Sequence, residues 1–271
     1  MRIVITGSSS GIGRALTERL IAHGHEVWGL ARRDQSAWAA QHTAGFRATR
    51  CDVAEWTQIS AAANEILILW PALDGLVTCA GLQGAIGPAT AADPGEWSAT
   101  MRANLEGTYF AIRAFHAGLR RAPRRAKIVC FSGGGASKAR PNFSAYAAAK
   151  TGIVRLVETI AEEERDATLD INALAPGAIS TPMTDAVIAA GPATAGEEEF
   201  RNALQVKAAG GAGMERALDL AEWLLSPASD GISGRLLSAA WDPWPELAGQ
   251  GSRLREHDAF TLRRRVPGKQ D

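Results

Sequence analysis

Tyr146 and Lys150 stand four residues apart in the segment YAAAK. On a helix that spacing puts both side chains on one face, about one turn apart. A cation beside a phenol favours the phenolate and lowers its pKa from about 10. The pair is therefore suited to general acid and base work near neutral pH. Tyrosine is otherwise scarce, with Tyr109 the sole other one. YxxxK also occurs on ordinary exposed helices, so its weight depends on what else the chain carries.

The second chemical feature is the run Thr6-Gly7-Ser8-Ser9-Ser10-Gly11-Ile12-Gly13. Glycines permit a tight turn and let a backbone approach a pyrophosphate. A helix that starts there supplies unpaired N–H groups and partial positive charge. That chemistry needs a strand before the turn and a helix after it, and both are legible. Residues 2–6 are short and β-rich, and residues 11–23 carry Ile12, Ala15, Leu16 and Leu20 at helical spacing. The context makes nucleotide binding the reading, against an ordinary strand-to-helix turn.

The same alternation runs along the chain. Strands are expected at 26–31, 47–51, 75–79, 127–132, 168–175 and 232–239. Helices are expected at 54–69, 94–120, 144–165 and 212–225. Strand–helix alternation implies a parallel sheet covered on both faces, and right-handed crossovers make it a doubly wound α/β fold. One domain over residues 1–240 is expected, with about seven strands. Residues 184–213 lack a clear period and are read as a lid or partly helical insertion. Residues 241–271, polar with Trp241 and Trp244, are read as an extension or an oligomer contact, and the arginines at 263–265 as a solvated tail.

Composition narrows the function classes. Of 271 residues, 46% are hydrophobic and 21% charged, which fits a globular chain and argues against disorder. Lys and Arg total 29, as do Asp and Glu, so there is no basic excess for a phosphate backbone. Cys51, Cys79 and Cys130 are far apart and form no CxxC, which excludes a disulfide framework or zinc ribbon. No metal site is expected. No apolar run reaches membrane-spanning length, and the start is not read as a signal peptide. A cytoplasmic protein is expected.

The TGxxxGxG spacing, in register with Tyr146 and Lys150, resembles the classical short-chain dehydrogenases/reductases over about residues 1–240. The FSGGGA segment and the ending after Ser238 resemble a poorly characterised branch of that family. The resemblance implies hydride transfer between a nicotinamide and a carbonyl or secondary alcohol. Tyr146 would give its proton to the carbonyl oxygen, while Lys150 would hold the ribose hydroxyls and bias Tyr146. Asn104 would anchor a water-linked proton relay. Cofactor contacts would come from Gly7, Ser9, Ser10, Gly11, Ile12 and Gly13, from the adenine-side pair Asp52-Val53, and from Ala80 and Gly81. Beyond the sixth strand, Pro176, Gly177, Ile179 and Thr181 match the carboxamide-holding segment. Cys79 departs from the family's Asn-Ala-Gly and is read as a small buried side chain.

Ala31 stands where NAD-preferring members carry an acid, and Arg32 follows at once. A guanidinium suits a 2′-phosphate, so NADP(H) is the expected cofactor, with NAD(H) possible. Arg14 is a candidate second cation and Asp34 the competing acid. The catalytic serine has two readings. The family interval falls thirteen residues before Tyr146, at Gly133. Either one residue is inserted and Ser132 is the serine, the reading adopted, or the serine is absent; Ser137 is a distant third. Substrate contacts are assigned to residues 82–95, 138–143 and 184–213, with Arg140 and Asn142 as candidates for a polar or acidic substrate. A homodimer or homotetramer is expected through residues 144–165. Two other functions stay open: nucleotide binding without turnover, and sugar-nucleotide modification.

Overall fold

The computed structural model of the chain describes residues 1–210 and 212–264. The strands are β1 (Arg2–Thr6), β2 (Glu26–Ala31), β3 (Phe46–Arg50), β4 (Gly75–Thr78), β5 (Ala126–Phe131), β6 (Leu169–Ala175) and β7 (Leu236–Ser238). The helices are α1 (Gly11–Ala22), α2 (Ser36–Gln41), α3 (Trp56–Leu69), α4 (Pro94–Met101), α5 (Gly107–Leu119), α6 (Ser144–Glu163), α7 (Pro182–Ala195), α8 (Glu197–Ala208), α9 (Ala212–Leu225) and α10 (Gly251–Arg255). The strands form one sheet in the order β3-β2-β1-β4-β5-β6-β7, every pairing parallel. This is the doubly wound fold expected from the alternation.

The inner strands are largely apolar because both faces are covered, whereas the edge strand β3 is FRATR. Side chains alternate across the sheet. Ile3, Ile5, Val77 and Val129 meet Leu16 and Leu20 of α1 and Leu220 and Leu224 of α9. Val4, Leu76 and Ile128 meet Ile59 and Ile66 of α3, Phe115 of α5 and Ile153 of α6. Burial of each such side chain contributes about 1.5–3 kcal/mol. The strand order reverses between β1 and β4. In such sheets the ligand crevice lies beyond the carboxyl ends of the strands at that reversal.

Several expected elements change. The single helix at 94–120 divides into α4, a π-helical segment at Arg102–Glu106, and α5. The buried Asn104 sits in that wide turn and donates to the carbonyls of Thr100 (3.0 Å) and Leu82 (2.9 Å). Residues 184–213 are mostly helical. α7 is kinked at Gly191 (φ +73°) before Pro192, and α8 follows at once. Their stripes are thin, with Val187 and Ala195 buried on α7 and Ala203 on α8, so the period was weak. β7 is shorter than 232–239, because Asn172 of β6 ties down the run before it. Its side chain donates to the Ile232 carbonyl (2.7 Å) and accepts from Arg235 N (3.0 Å).

The segment after Ser238 packs on its own chain. Trp244 lies against Trp223 of α9, with ring centroids 5.7 Å apart, whereas Trp241 is 87% exposed. The buried Arg235 donates to the carbonyls of Leu254, His257 (3.0 Å) and Ala259 (3.1 Å). Arg263 and Arg264 are exposed, as expected of a solvated tail, and Arg263 pairs with Glu158 of α6 and with Asp258; Arg265 lies outside the described residues. No helix among the described residues is long and apolar enough to cross a membrane.

Candidate active site

β1 leads into the glycine-rich turn, and steric room dictates its glycines. Gly7 has φ +76°, and a Cβ there would lie 2.7 Å from Ala80 N. A Cβ on Gly13 would lie 2.4 Å from the Gly7 carbonyl oxygen, so glycine lets α1 close onto the turn. Ser10 is the N-cap of α1, but its side chain caps no N–H. The first turn of α1 is left as an anion-binding end.

That end opens into a cleft of ≈ 340 Å³. Gly7, Ser9, Ser10, Gly11, Ile12, Arg32, Val53, Ala80, Gly81 and Thr181, all singled out by sequence, line it. Gly13 lies beneath the turn, and Asp52, Pro176, Gly177 and Ile179 are not in the lining. One Asp52 carboxylate oxygen accepts from Ala54 N (3.0 Å) and shapes the turn after β3. Thr181 is the N-cap of α7 in a reciprocal capping pair with Thr184. The Ile179 carbonyl accepts from the Thr184 hydroxyl (2.7 Å).

The ribose end holds Ala31, Arg32 and Arg33. Asp34 turns away, accepting from the Ser36 N–H and hydroxyl (both 2.9 Å), which hold its carboxyl below the usual range. Arg14 does not reach the cleft. It pairs with Glu18 (2.6 Å) and covers the Trp38 ring at 3.4 Å from the centroid. Arg50 of β3, which the sequence reading passed over, donates to the Arg32 carbonyl (3.0 Å) and brings another cation to this edge.

α6 sets Tyr146 and Lys150, both buried, behind Cys79; neither is in the cleft lining, nor are Ser132 and Asn104. The Lys150 Nζ donates to the Phe131 carbonyl (2.8 Å) and lies 5.6 Å from the Tyr146 ring centroid. Burial pulls Lys150 down to about 8. Burial also pushes the Tyr146 phenol up, opposed by the Arg140 guanidinium. Desolvation thus outweighs the Arg140 charge, and the phenol moves opposite to the direction expected from the YxxxK spacing. Cys79 lines the cleft beside both groups, with its thiol pushed up to about 12 by burial.

Ser132 is also buried, but its hydroxyl donates to the Lys150 backbone carbonyl (3.3 Å). Gly133 is the residue set against the phenol: a Cβ there would lie 2.5 Å from the Tyr146 hydroxyl oxygen. The structure brings Ser132 to the backbone of α6 and Gly133 to Tyr146. Asn104 uses its amide on the loop after β4, accepting from Leu82 N (3.2 Å) and donating to the Leu82 carbonyl (2.9 Å). Sequence reasoning gave no individual role to Gln83, Met183 or Ala186, which also line the cleft. Gln83 is buried, and its Nε2 has no hydrogen-bond partner among the described residues, a signal only coordinates carry.

The turn, the uncapped helix end and the closely approached backbone fit a dinucleotide, the cofactor the resemblance implies. Comparison with known proteins agrees. The family model for short chain dehydrogenases matches residues 1–190. A 2,5-dichloro-2,5-cyclohexadiene-1,4-diol dehydrogenase of Sphingobium indicum is 28% identical over 239 residues, 88% of this chain and 94% of that protein. The short-chain reductase protein NovJ of Streptomyces niveus is 35% identical over 187 residues, 67% of this chain and 70% of that protein. The ligand-free aldohexose dehydrogenase of Thermoplasma acidophilum superposes with a TM-score of 0.74 at 27% identity, covering 88% of this chain and 91% of that one. With the parallel sheet, the glycine-rich turn and the Tyr146–Lys150 pair, this match places the chain in the classical short-chain dehydrogenase/reductase family.

Proposed function

We propose that the protein is an NADP(H)-dependent oxidoreductase that interconverts a carbonyl and a secondary alcohol, with Tyr146 as the proton-transferring group. The observation that carries this reading is the buried Tyr146–Lys150 pair on α6 behind Cys79, a residue that lines the glycine-rich cleft. A bound nicotinamide supplies the hydride. Gly7, Ser9, Ser10, Gly11, Ile12 and Gly13 form the turn that holds its pyrophosphate, with Asp52, Val53, Ala80 and Gly81 along the adenosine side. Pro176, Gly177, Ile179 and Thr181 shape the nicotinamide end. Lys150 holds the ribose and Tyr146 Oη gives up or takes the proton. A buried phenol with raised proton affinity keeps its proton until an oxygen with developing negative charge claims it.

Ser132 and Asn104 serve as positioning residues, one holding α6 at Lys150 and the other holding the Leu82 edge. The exposed Arg32 and Arg33, with Asp34 turned to Ser36, support the phosphorylated cofactor. A homodimer or homotetramer fits the aromatic group of Trp56, Tyr109 and Phe110 on α3 and α5, where Trp56 and Tyr109 are 41% and 46% exposed. Free, buried Cys51 and Cys130 fit the reducing cytoplasm.

The test is oxidation of NADPH and NADH across ketones, quinones, oxoacyl thioesters and keto-sugars. Turnover should prefer NADPH and fall by about 10²–10⁴-fold in Tyr146→Phe. Arg32→Ala should weaken NADPH affinity about 10–100-fold and leave NADH unchanged. Tight NADPH binding with no turnover on any substrate would favour the second reading, binding without chemistry, which the absence of a serine hydroxyl against Tyr146 keeps in play.

A further inference from the structure

Arg140 has no part in the reaction described above, yet it is the cation most firmly set against the phenol. It lies in the loop between β5 and α6, with its side chain 16% exposed. Its Nε and Nη2 donate to the two carboxylate oxygens of Glu199 on α8, at 2.9 and 2.8 Å. Such a two-point clamp fixes the plane and position of a guanidinium. The guanidinium carbon is 4.0 Å from the Phe143 ring centroid and 5.5 Å from that of Tyr146. Glu199 is the clamp, and the Tyr146 ring is within reach of the positive charge.

The groups around Tyr146 come from four elements. Lys150 is on its own helix, Arg140 on the preceding loop, Cys79 after β4, and Cys130 on β5 behind Lys150. Burial holds both thiols neutral at neutral pH, pushing each to about 12. Lys150, pulled to about 8, loses its charge before a phenol whose proton affinity is raised. A guanidinium does not titrate in a protein, so Arg140 stays charged throughout. Its face-on approach to the ring is the geometry in which a cation is attracted to a π-system, and a phenolate ring carries a full charge besides.

We propose that Arg140, clamped by Glu199, is a positioning residue that keeps a permanent positive charge against the Tyr146 ring and stabilises the phenolate left by proton transfer. In that transfer the O–H bond at Tyr146 Oη breaks, the proton bonds to the substrate oxygen, and the electron pair remains on the phenolate. The inference rests on the proposed role of Tyr146. It links the α7–α8 hairpin to the reacting group, because the clamp belongs to α8.

Two tyrosines make a direct test possible. In a Tyr109→Phe background, 3,5-difluorotyrosine marks position 146 alone, and its ¹⁹F resonance reports ionisation without substrate or nicotinamide. Arg140→Gln should raise the midpoint by about one pH unit or more, the size expected for removing an opposite charge within about 4–6 Å. Arg140→Lys should recover part of that shift. The exchange R140E/E199R keeps the ion pair but presents the opposite sign to the ring, so its midpoint should rise beyond that of Arg140→Gln. A midpoint that stays at the parent value in both Arg140→Gln and the exchange variant would overturn the proposal. So would a Lys variant that shifts as far as Gln. Circular dichroism on the same samples identifies a variant that has not folded, and the Arg140→Lys comparison then decides. If the parent titrates as expected but turns over no carbonyl substrate, the proposed reaction fails and the charge assignment survives.

Discussion

Ser132 and Gly133 show how a single position changes what a hydroxyl can do. The Ser132 hydroxyl is bonded to the Lys150 carbonyl, and Gly133 faces Tyr146. Ser132→Ala should therefore cost less than tenfold in kcat/KM, about the worth of one neutral hydrogen bond. A serine that polarised the substrate oxygen would cost about a hundredfold or more, as an oxyanion donor does. Steady-state kinetics beside Tyr146→Phe separates the two. Lys150 carries a pH signature. Its folded pKa of about 8 lies below the ordinary 10.5, so the unfolded chain binds more protons between those values. Stability from this group is lowest below pH 8 and rises as pH climbs toward 10.5. Lys150→Met removes a burial penalty of about 3 kcal/mol at pH 7. Its melting temperature relative to the unmutated protein should be highest at pH 7, with the gap narrowing by pH 10, in samples free of nicotinamide.

At the scale of elements, the π-helical segment between α4 and α5 is the least expected feature. Asn104 is wholly buried there and joined to Leu82 by two hydrogen bonds. Asn104→Leu removes the partner of both Leu82 backbone groups, which are half-buried at the cleft, a cost of about 1 kcal/mol for each lost hydrogen bond. Hydrogen exchange should speed up at Leu82 and Gln83, and cofactor affinity should fall before the global melting temperature moves far. Residues 94–120 read as one continuous helix because apolar period and propensity do not register a single extra residue in a turn. The hairpin α7–α8 was read only as a lid or partly helical insertion, for a different reason. Few of its side chains reach the core, so the signal that marks an amphipathic helix is thin. The strands were legible to within a residue or two, except β7; for the buried inner strands that is because full burial demands apolar runs, whereas β3 at the edge, FRATR, is mostly unburied.

Across the whole molecule, chemistry and anchorage occupy opposite ends of the sheet. At the amino ends of β5 and β6, register pairs Lys127 with Asp170, both nearly fully buried, with Nζ 2.8 Å from Oδ2. Arg125 (3.1 Å) and Gly231 N (3.0 Å) also bond Asp170, and Asp230 (2.7 Å) pairs with Lys127. Lys127→Met should destabilise the fold by about 2 kcal/mol, since Asp170 loses one charged hydrogen bond and keeps those from Arg125 and Gly231 N. Equilibrium urea unfolding checks this, and NADPH affinity should be unchanged, because the cleft is at the carboxyl ends. The sequence by itself determined the parallel α/β fold, the glycine-rich turn, the Tyr146–Lys150 pair and the family, since each depends on local spacing and period. Tertiary structure decided where the side chains point. It set Ser132 on a backbone carbonyl, Arg14 on Glu18 and Trp38, and Arg140 between Glu199 and Tyr146, and it folded the segment after Ser238 onto its own chain. Those outcomes depend on contacts between residues distant in the chain and on desolvation, which no local pattern encodes.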